Sequence, residues 1–259
     1  MMILDCHVHL PSPGLDQTME WEPCTPGTEA AVGYLQRSGV TGIVGSSMRA
    51  LLAQTPEEVT AGNDEAAGAA RAYPGFVIPA CQVNTNFPGD AIAELRRCRE
   101  VLGMVWLGEL CGYIGGYSFA TTAFEDLLHL ATELDMIVQI HNDSANDMAR
   151  LCTDFPQTTF VLAHLGDSPE EVEERIGLAV RFPNLYLDIC GHGYQRMGVL
   201  EMAVRQAGSD RVMFGSDYTI NDPAGVIARI QSADFDTQTK ARLLGGNLSS
   251  LLGKHGWKD

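Results

Sequence analysis

The sequence predicts an α/β protein, a single (β/α)8 barrel of the TIM type that spans residues 1–259 as one domain. Three observations indicate this fold: apolar runs alternate with helical stretches, the runs number eight, and 259 residues is a typical length for one such barrel. Strands separated by helices pair in parallel, because each parallel neighbour needs a helical crossover. An open, doubly wound sheet is the competing topology, and periodicity alone does not exclude it.

The eight predicted strands are short runs of apolar or β-branched residues. Runs that are apolar on both faces are typical of a parallel sheet covered on both sides. In chain order, the runs comprise residues 3–8, 40–45, 76–82, 104–108, 136–140, 159–163, 185–189 and 211–215.

The stretches between the runs carry helical patterns. Residues 124–134 place apolar side chains on one helical face. Residues 169–180 begin at Pro169, which fits a first helical position, and Ser168 before it is a typical N-cap. Residues 11–27, which are rich in Pro and Gly, instead predict a long loop after the first strand, and loops of that length are often functional.

The composition excludes several classes of function. A net charge of −16 argues against a nucleic-acid-binding surface, which needs clustered Lys and Arg. No apolar run approaches the ~20 residues of a membrane-spanning helix, and the N-terminal residues lack the basic segment of a signal peptide. The seven cysteines form no Cys-x-x-Cys pair, so we expect no disulfide framework. These features predict a cytoplasmic protein that does not bind nucleic acid or membrane.

The first predicted strand contains the motif Asp5-Cys6-His7-Val8-His9. Alternate side chains of an extended strand share a face, so His7 and His9 point the same way. Two imidazoles side by side on a buried face indicate a shared divalent cation. For this motif alone, one core histidine and one loop histidine would be the alternative.

Four other predicted strands end in residues of the same chemistry. Glu109 follows the fourth run, His141 the fifth, His164 the sixth and Asp217 the eighth. The carboxyl ends of the strands are where a barrel of this type builds its active site. Imidazole nitrogen and carboxylate oxygen together predict a divalent metal site that suits zinc, manganese or iron, and no thiolate site is indicated.

These motifs resemble the amidohydrolase superfamily, and more closely its amidohydrolase-2 branch. The resemblance runs from the His7 and His9 motif through Ile140-His141, Ala163-His164-Leu165-Gly166 and Phe214-Gly215-Ser216-Asp217 to Gly245-Gly246-Asn247. It implies a distorted (β/α)8 barrel with one or two divalent metal ions, commonly zinc. The branch resembles metal-dependent hydrolases and also includes decarboxylases and hydratases that act on small carboxylated substrates.

The resemblance also implies a role for each candidate ligand. His7 and His9 look like ligands of the more buried metal, and Asp217 would complete that position and contact the hydrolytic water. His141 and His164 match histidines that bind a second metal in dinuclear members. In mononuclear members, the first of this pair binds the single metal and the second transfers protons.

Glu109 bears on the number of metal ions. Its context, Leu107-Gly108-Glu109-Leu110, is similar to that of the glutamate that bridges two metals in TatD-like members, and no lysine occupies this strand end. The sequence therefore has a residue for every position of a dinuclear centre. A carboxylate at the barrel mouth that orients a ligand without bridging is the alternative.

The predicted activity is hydrolysis of a small molecule (an amide, a lactone or other ester, or a phosphoester) by metal-bound hydroxide. Asp217 would accept the proton of the water, and the second ion or protonated His164 would stabilise the developing charge. The alternative is a mononuclear zinc decarboxylase of a small unsaturated or aromatic carboxylic acid, in which His164 moves a proton. A metal-binding protein without catalysis is a third class.

Three further residues are predicted to bind substrate. They are Arg49 after the second strand, Tyr113 after the fourth and His192 after the seventh. Asp188, at the end of the seventh run, either orients a metal ligand or makes an ordinary structural hydrogen bond. The family resemblance also implies that the protein can form a homo-oligomer.

Overall fold

The structure, a computed structural model, describes residues 2–13, 27–142, 144–191 and 193–257. Within these residues, eight parallel strands form one sheet in the order of the sequence. The strands are β1 (Leu4–Leu10), β2 (Gly42–Ser47), β3 (Val77–Cys81), β4 (Trp106–Cys111), β5 (Ile137–His141), β6 (Thr159–Leu162), β7 (Leu185–Asp188) and β8 (Val212–Met213).

The sheet closes because β8 and the segment after it pair with β1. The backbone N–H of Cys6 donates to the carbonyl of Phe214 over 3.0 Å, and the N–H of Asp217 donates to the carbonyl of His7 over 2.9 Å. Val8 also forms a parallel bridge with Tyr218. The prediction of a (β/α)8 barrel is therefore confirmed, and the open sheet is excluded.

Helices connect the strands and surround the barrel. In the described part of the chain, they are α1 (Thr28–Arg37), α2 (Met48–Leu51), α3 (Pro56–Ala72), α4 (Pro88–Glu100), α5 (Gly112–Gly115), α6 (Thr122–Glu133), α7 (Ala145–Asp154), α8 (Pro169–Arg181), α9 (Val199–Ala207), α10 (Pro223–Ser232), α11 (Thr237–Ala241) and α12 (Asn247–Lys254), with a 3-10 turn at Gly193–Gln195 and a π-helical turn at Arg242–Gly246. The helices predicted at 124–134 and 169–180 correspond to α6 and α8.

The start of α8 follows the sequence signal. The Ser168 side chain accepts the backbone N–H of Glu171, and the Glu171 side chain accepts the backbone N–H of Ser168, which together form a capping box. The loop predicted at 11–27 lies mostly outside the described residues, since only its ends, 11–13 and 27, belong to them.

The core consists of apolar side chains between strands and helices. A large cluster includes Phe124 and Phe160, which are fully buried. A second cluster joins strand residues such as Cys6 and Trp106 to Leu248 of α12. The cysteines of the described part, Cys6, Cys81, Cys98, Cys111, Cys152 and Cys190, are buried and form no disulfide.

No helix in the described ranges is both long enough and apolar enough to cross a lipid bilayer.

Two irregularities of the sheet lie beside predicted metal ligands. The pairing of β1 with β2 shifts register just before Val8, and that of β4 with β5 shifts just before Leu110. Such bulges change the direction of side chains and are common near active sites. Gly108 lies in the second bulge with φ of 116°, and a Cβ atom there would collide with the carbonyl oxygen of Gln139. Only glycine therefore fits the backbone that carries Glu109.

Candidate metal centre

Four predicted ligands converge at the carboxyl end of the barrel and are buried: His7 and His9 of β1, Glu109 of β4 and Asp217 after β8. We call this cluster subsite A. The donor atoms are separated by 3.2 Å (His7 Nε2 to His9 Nε2), 3.3 Å (His7 Nε2 to Glu109 Oε2), 3.5 Å (His7 Nε2 to Asp217 Oδ1), 3.5 Å (His9 Nε2 to Glu109 Oε2) and 3.2 Å (His9 Nε2 to Asp217 Oδ1).

These separations match the geometry of a metal site. Four ligand atoms at about 2.1 Å from a tetrahedral zinc ion are about 3.4 Å apart from one another. Five of the six pairs of donor atoms in subsite A are 3.2–3.5 Å apart. The residues present therefore fit a divalent cation in both chemistry and spacing.

The other oxygen of Glu109 belongs to a second cluster, which we call subsite B. Glu109 Oε1 lies 3.2 Å from His141 Nδ1 and 3.3 Å from His164 Nε2, and those two nitrogens are 3.0 Å apart. These three side chains form a second group able to hold a cation. Glu109 thus presents one oxygen to each subsite.

Two of the converging residues have an unusual backbone conformation. His164 has φ of 67° and Asp217 has φ of 61°, the left-handed region. Each such residue costs about 1–2 kcal/mol when it is not glycine. Strain of this kind clusters at functional sites, where the surrounding structure offsets it. Both residues follow the end of a strand, where the chain leaves the barrel wall.

The amidohydrolase-2 family model matches residues 4–253 of the chain. The chain belongs to the amidohydrolase family. The resemblance drawn from the strand-end motifs is therefore confirmed. A comparison with curated proteins finds no match to the sequence.

Solved structures share the fold over nearly the whole chain. A TIM-barrel protein of Bordetella bronchiseptica superposes with a TM-score of 0.81 at 20% identity and covers 99% of this chain and 100% of its own. The 2,6-dihydroxybenzoate decarboxylase of Rhizobium gives 0.78 at 15% identity, over 98% of this chain and 99% of its own. A dihydroxybenzoic acid decarboxylase of a Polaromonas species, with bound manganese and the inhibitor 2-nitroresorcinol, gives 0.74 at 13% identity, over 99% of each chain.

The electrostatics of this amidohydrolase centre suit a cation. Burial lowers the pKa of His9, but hydrogen bonds to Asp217 and Glu109 outweigh it and raise the pKa above its usual value. Burial raises the pKa of Glu109, but the charge of His7 and hydrogen bonds from His141 outweigh it, so the pKa lies well below its usual value. The buried carboxylates thus favour positive charge among the imidazoles, and a metal ion supplies that charge in exchange for protons.

A cavity of about 320 Å³ opens over subsite B, and its volume suits a small molecule. Tyr113 of α5 lines this cavity and is 63% exposed, with its ring edge-on to His141 at 5.0 Å between centroids. Ile220 and Asn221, after β8, line it on another side. Tyr113 is therefore placed beside the centre, and its binding of substrate stays a prediction.

Of the other two predicted substrate-binding residues, the structure describes Arg49. Arg49 of α2 pairs with Glu65 over 2.7 Å and donates to the carbonyl of Pro13 over 3.0 Å. It is not among the described residues that line the cavity. His192 lies outside the described residues.

The sequence interpretation missed Cys190. Its Sγ lies 3.1 Å from His7 Nδ1 and 3.0 Å from His164 Nδ1, behind ligands of both subsites. A signal was present, because Cys190 follows Asp188 by two positions at the end of β7. Asp188 accepts a hydrogen bond from His7 Nδ1 at 2.7 Å, which is the ligand-orienting alternative considered for it.

Proposed function

We propose that this amidohydrolase hydrolyses a small molecule with two divalent metal ions, zinc being the first candidate. The observation that carries the proposal is the orientation of Glu109. Its Oε2 lies 3.3 Å from His7 Nε2 in subsite A, and its Oε1 lies 3.2 Å from His141 Nδ1 in subsite B. A carboxylate with one oxygen toward each cluster suits a bridge between two cations, as in two-metal hydrolytic enzymes.

The ligand chemistry supports this centre without selecting one metal. Subsite A offers two imidazoles and two carboxylates, and subsite B offers two imidazoles and the shared carboxylate. Such donors suit zinc, manganese or iron. When bound, divalent ions lower the pKa of a coordinated water towards ~7 and polarise the bond under attack.

The position of Asp217 supports a role in proton transfer. Its Oδ1 faces His7 and His9, while its Oδ2 lies 3.5 Å from Nδ2 of Asn221, toward the cavity. Asp217 can therefore accept a proton from the attacking water at Oδ2 and deliver it to the leaving group. Hydrogen-bonded Asn221 would hold that oxygen in place.

Apart from the proposed metal ions, the side chains around the cavity offer little positive charge. Among the described lining residues, Arg175 is the cation, and its Nη1 donates to the backbone carbonyls of Ala163 (2.6 Å) and His164 (3.1 Å). Asp167 and Glu171 on the same rim are acidic. The rim side chains, without the charge of the metal ions, therefore favour a lactone, another ester or an amide over a phosphoester or a carboxylate.

Decarboxylation of a small carboxylic acid is the second candidate, and the comparisons favour it. Two of the three solved structures described above are dihydroxybenzoate decarboxylases, one of them with manganese. In this reaction, the substrate would lose CO2, and His164, which lines the cavity, would donate the replacing proton. The orientation of Glu109 instead favours hydrolysis, so the two candidates make different predictions for the number of metal ions.

Metal analysis and activity assays on the purified protein separate the candidates. Hydrolysis predicts two ions per chain by mass spectrometry of the metal content and turnover within a panel of lactones, esters, amides and phosphoesters. One ion per chain, with CO2 release from a dihydroxybenzoate, would establish the decarboxylase and overturn the hydrolase. Full metal loading, with no turnover of the hydrolysis panel and no CO2 release from a dihydroxybenzoate, would indicate a metal-binding protein without catalysis.

A further inference from the structure

The end of β7 lies directly behind both metal subsites. Asp188 is the last residue of β7, Cys190 follows two positions later, and both are fully buried. Neither side chain is needed as a ligand in subsite A or subsite B. Their burial against the imidazoles of His7 and His164 therefore needs another explanation.

The two side chains contact the rear nitrogens of one ligand in each subsite. Asp188 Oδ2 lies 2.7 Å from His7 Nδ1. Cys190 Sγ lies 3.0 Å from His164 Nδ1 and 3.1 Å from Asp188 Oδ2. The four groups thus form a continuous chain from subsite A to subsite B.

One assignment of hydrogens satisfies this chain. His7 and His164 face their subsites with Nε2, which must be unprotonated to bind a cation, so each carries its proton on Nδ1. His7 Nδ1–H donates to Asp188, His164 Nδ1–H donates to Cys190 Sγ, and the thiol donates to Asp188 Oδ2. Both imidazoles are then in the tautomer that binds a metal.

Asp188 is itself held rigidly. Its Oδ1 accepts the backbone N–H of Cys190 over 2.9 Å, and its Oδ2 accepts Nε2 of Gln139 over 3.1 Å. Gln139 is anchored in turn by Nε1 of Trp106, which donates to Gln139 Oε1 over 3.0 Å. A Cβ atom on Gly215 would collide with the Asp188 carboxylate, so glycine leaves room for it.

We propose that Asp188 and Cys190 are positioning residues that set the tautomer and orientation of His7 in subsite A and of His164 in subsite B through one shared hydrogen-bonded chain. The inference rests on the metal centre of the proposed function and not on the reaction. Loss of such partners behind a metal-bound histidine typically weakens metal binding by about 10–100-fold. Asp188 therefore acts mainly on subsite A and Cys190 mainly on subsite B.

Zn²⁺ titration of the metal-free protein by calorimetry tests the inference, with the visible spectrum of the Co²⁺-loaded protein as a second readout of ligand geometry. The Asp188→Asn variant is expected to weaken the subsite A ion by about tenfold or more. The Cys190→Ala variant is expected to weaken the subsite B ion by a similar factor. Cys190→Ser restores binding, because a hydroxyl accepts and donates at the same places.

Cys152→Ala is the matched control, since Cys152 is equally buried but lies on α7, away from the centre. It is expected to bind Zn²⁺ and to absorb in the Co²⁺ form as the wild type does. If Asp188→Asn fails to fold, Gln139→Met gives the same test with a smaller loss, since it leaves Asp188 in place and removes the donor to Asp188 together with the acceptor for Trp106 Nε1–H. A purely structural role would instead lower the thermal stability of Cys190→Ala and Cys190→Ser alike without a change in the Co²⁺ spectrum.

Several results would overturn the inference. Wild-type Zn²⁺ affinity in both Asp188→Asn and Cys190→Ala would do so, and so would a Cys190→Ser variant as defective as Cys190→Ala. A wild-type protein that binds one Zn²⁺ ion would instead refute the two-metal centre. In that case, the effect of Asp188→Asn on the single ion still decides the role of Asp188.

Discussion

Replacement of Glu109 by glutamine removes the charge of the predicted bridge and keeps its shape. In the structure, Glu109 Oε2 lies 3.3 Å from His7 Nε2 and 3.5 Å from His9 Nε2. Its Oε1 lies 3.2 Å from His141 Nδ1 and 3.3 Å from His164 Nε2. An amide can turn its oxygen toward one subsite, and then its NH2 group faces the other, where it cannot bind a cation.

The size of the effect follows from the lost charge. Two unit charges about 4 Å apart attract by about 4 kcal/mol at an effective dielectric constant near 20, and a divalent ion closer to the oxygen is attracted more strongly. A loss of about 4 kcal/mol corresponds to roughly a thousandfold weaker binding. We therefore expect Glu109→Gln to retain one ion per chain and to lose the other at micromolar metal.

The assay is the metal content after dialysis, together with Zn²⁺ titration of the metal-free protein. Glu94→Gln is the control, because Glu94 is also a buried glutamate but lies on α4, where it binds Arg97 and Asn63. That variant is expected to lose stability and keep both ions. Two ions bound to Glu109→Gln with wild-type affinity would refute the bridging role.

Three further predictions concern stability and substrate binding. Gly108→Ala is expected to lower the free energy of unfolding in urea by at least about 3 kcal/mol. The reason is that φ of 116° is strained for alanine and that the new Cβ atom would collide with the carbonyl oxygen of Gln139. An unchanged midpoint of urea unfolding would contradict this. Burial raises the pKa of Asp5 to about 7. The folded metal-free protein therefore keeps a proton on Asp5 that the unfolded chain loses above pH ~4. Because of this difference, the free energy of unfolding falls as the pH rises from about 4 towards 7. Asp5→Asn removes this loss and is expected to be more stable than the wild type at pH 8, by up to about 4 kcal/mol, but not at pH 4; equal stability at pH 8 would refute the argument. Tyr113→Ala is expected to raise KM severalfold for an identified substrate, because Tyr113 lies beside His141. The free energy of unfolding is expected to change by less than about 0.5 kcal/mol, since Tyr113 is 63% exposed. An unchanged KM would show that Tyr113 does not bind substrate.

Much of the fold could be predicted because its signals are local. The alternation of apolar runs and helical stretches reflects burial, and burial of a parallel strand on both faces leaves a continuous apolar run. The strand bounds were less accurate. The first run was predicted to end at residue 8, whereas β1 continues to Leu10, and the eighth was predicted over five residues, whereas β8 comprises Val212–Met213. Hydrogen bonds between distant segments decide these bounds, and a single apolar run does not encode them.

The prediction that Arg49 binds substrate rests on its position after β2, and tertiary contacts decide where its side chain goes. Glu65, sixteen residues later on α3, pairs with it over 2.7 Å. Nothing in the local sequence around Arg49 specifies that partner. Position at the barrel mouth therefore makes a residue a candidate for substrate binding but does not show that its side chain faces the cavity.

By itself, the sequence determined the barrel, the family and the set of strand-end residues His7, His9, Glu109, His141, His164 and Asp217, because residue type and strand order are enough to place polar groups at one end of a parallel barrel. Only the tertiary structure decided how these residues divide into two clusters, which oxygen of Glu109 faces each cluster, and that Asp188 and Cys190 stand behind them. The physical reason is distance, because a metal site depends on ligand separations that are correct to within a few tenths of an ångström. Such separations are set by bulges, by the left-handed backbone at His164 and Asp217, and by packing between strands far apart in the chain.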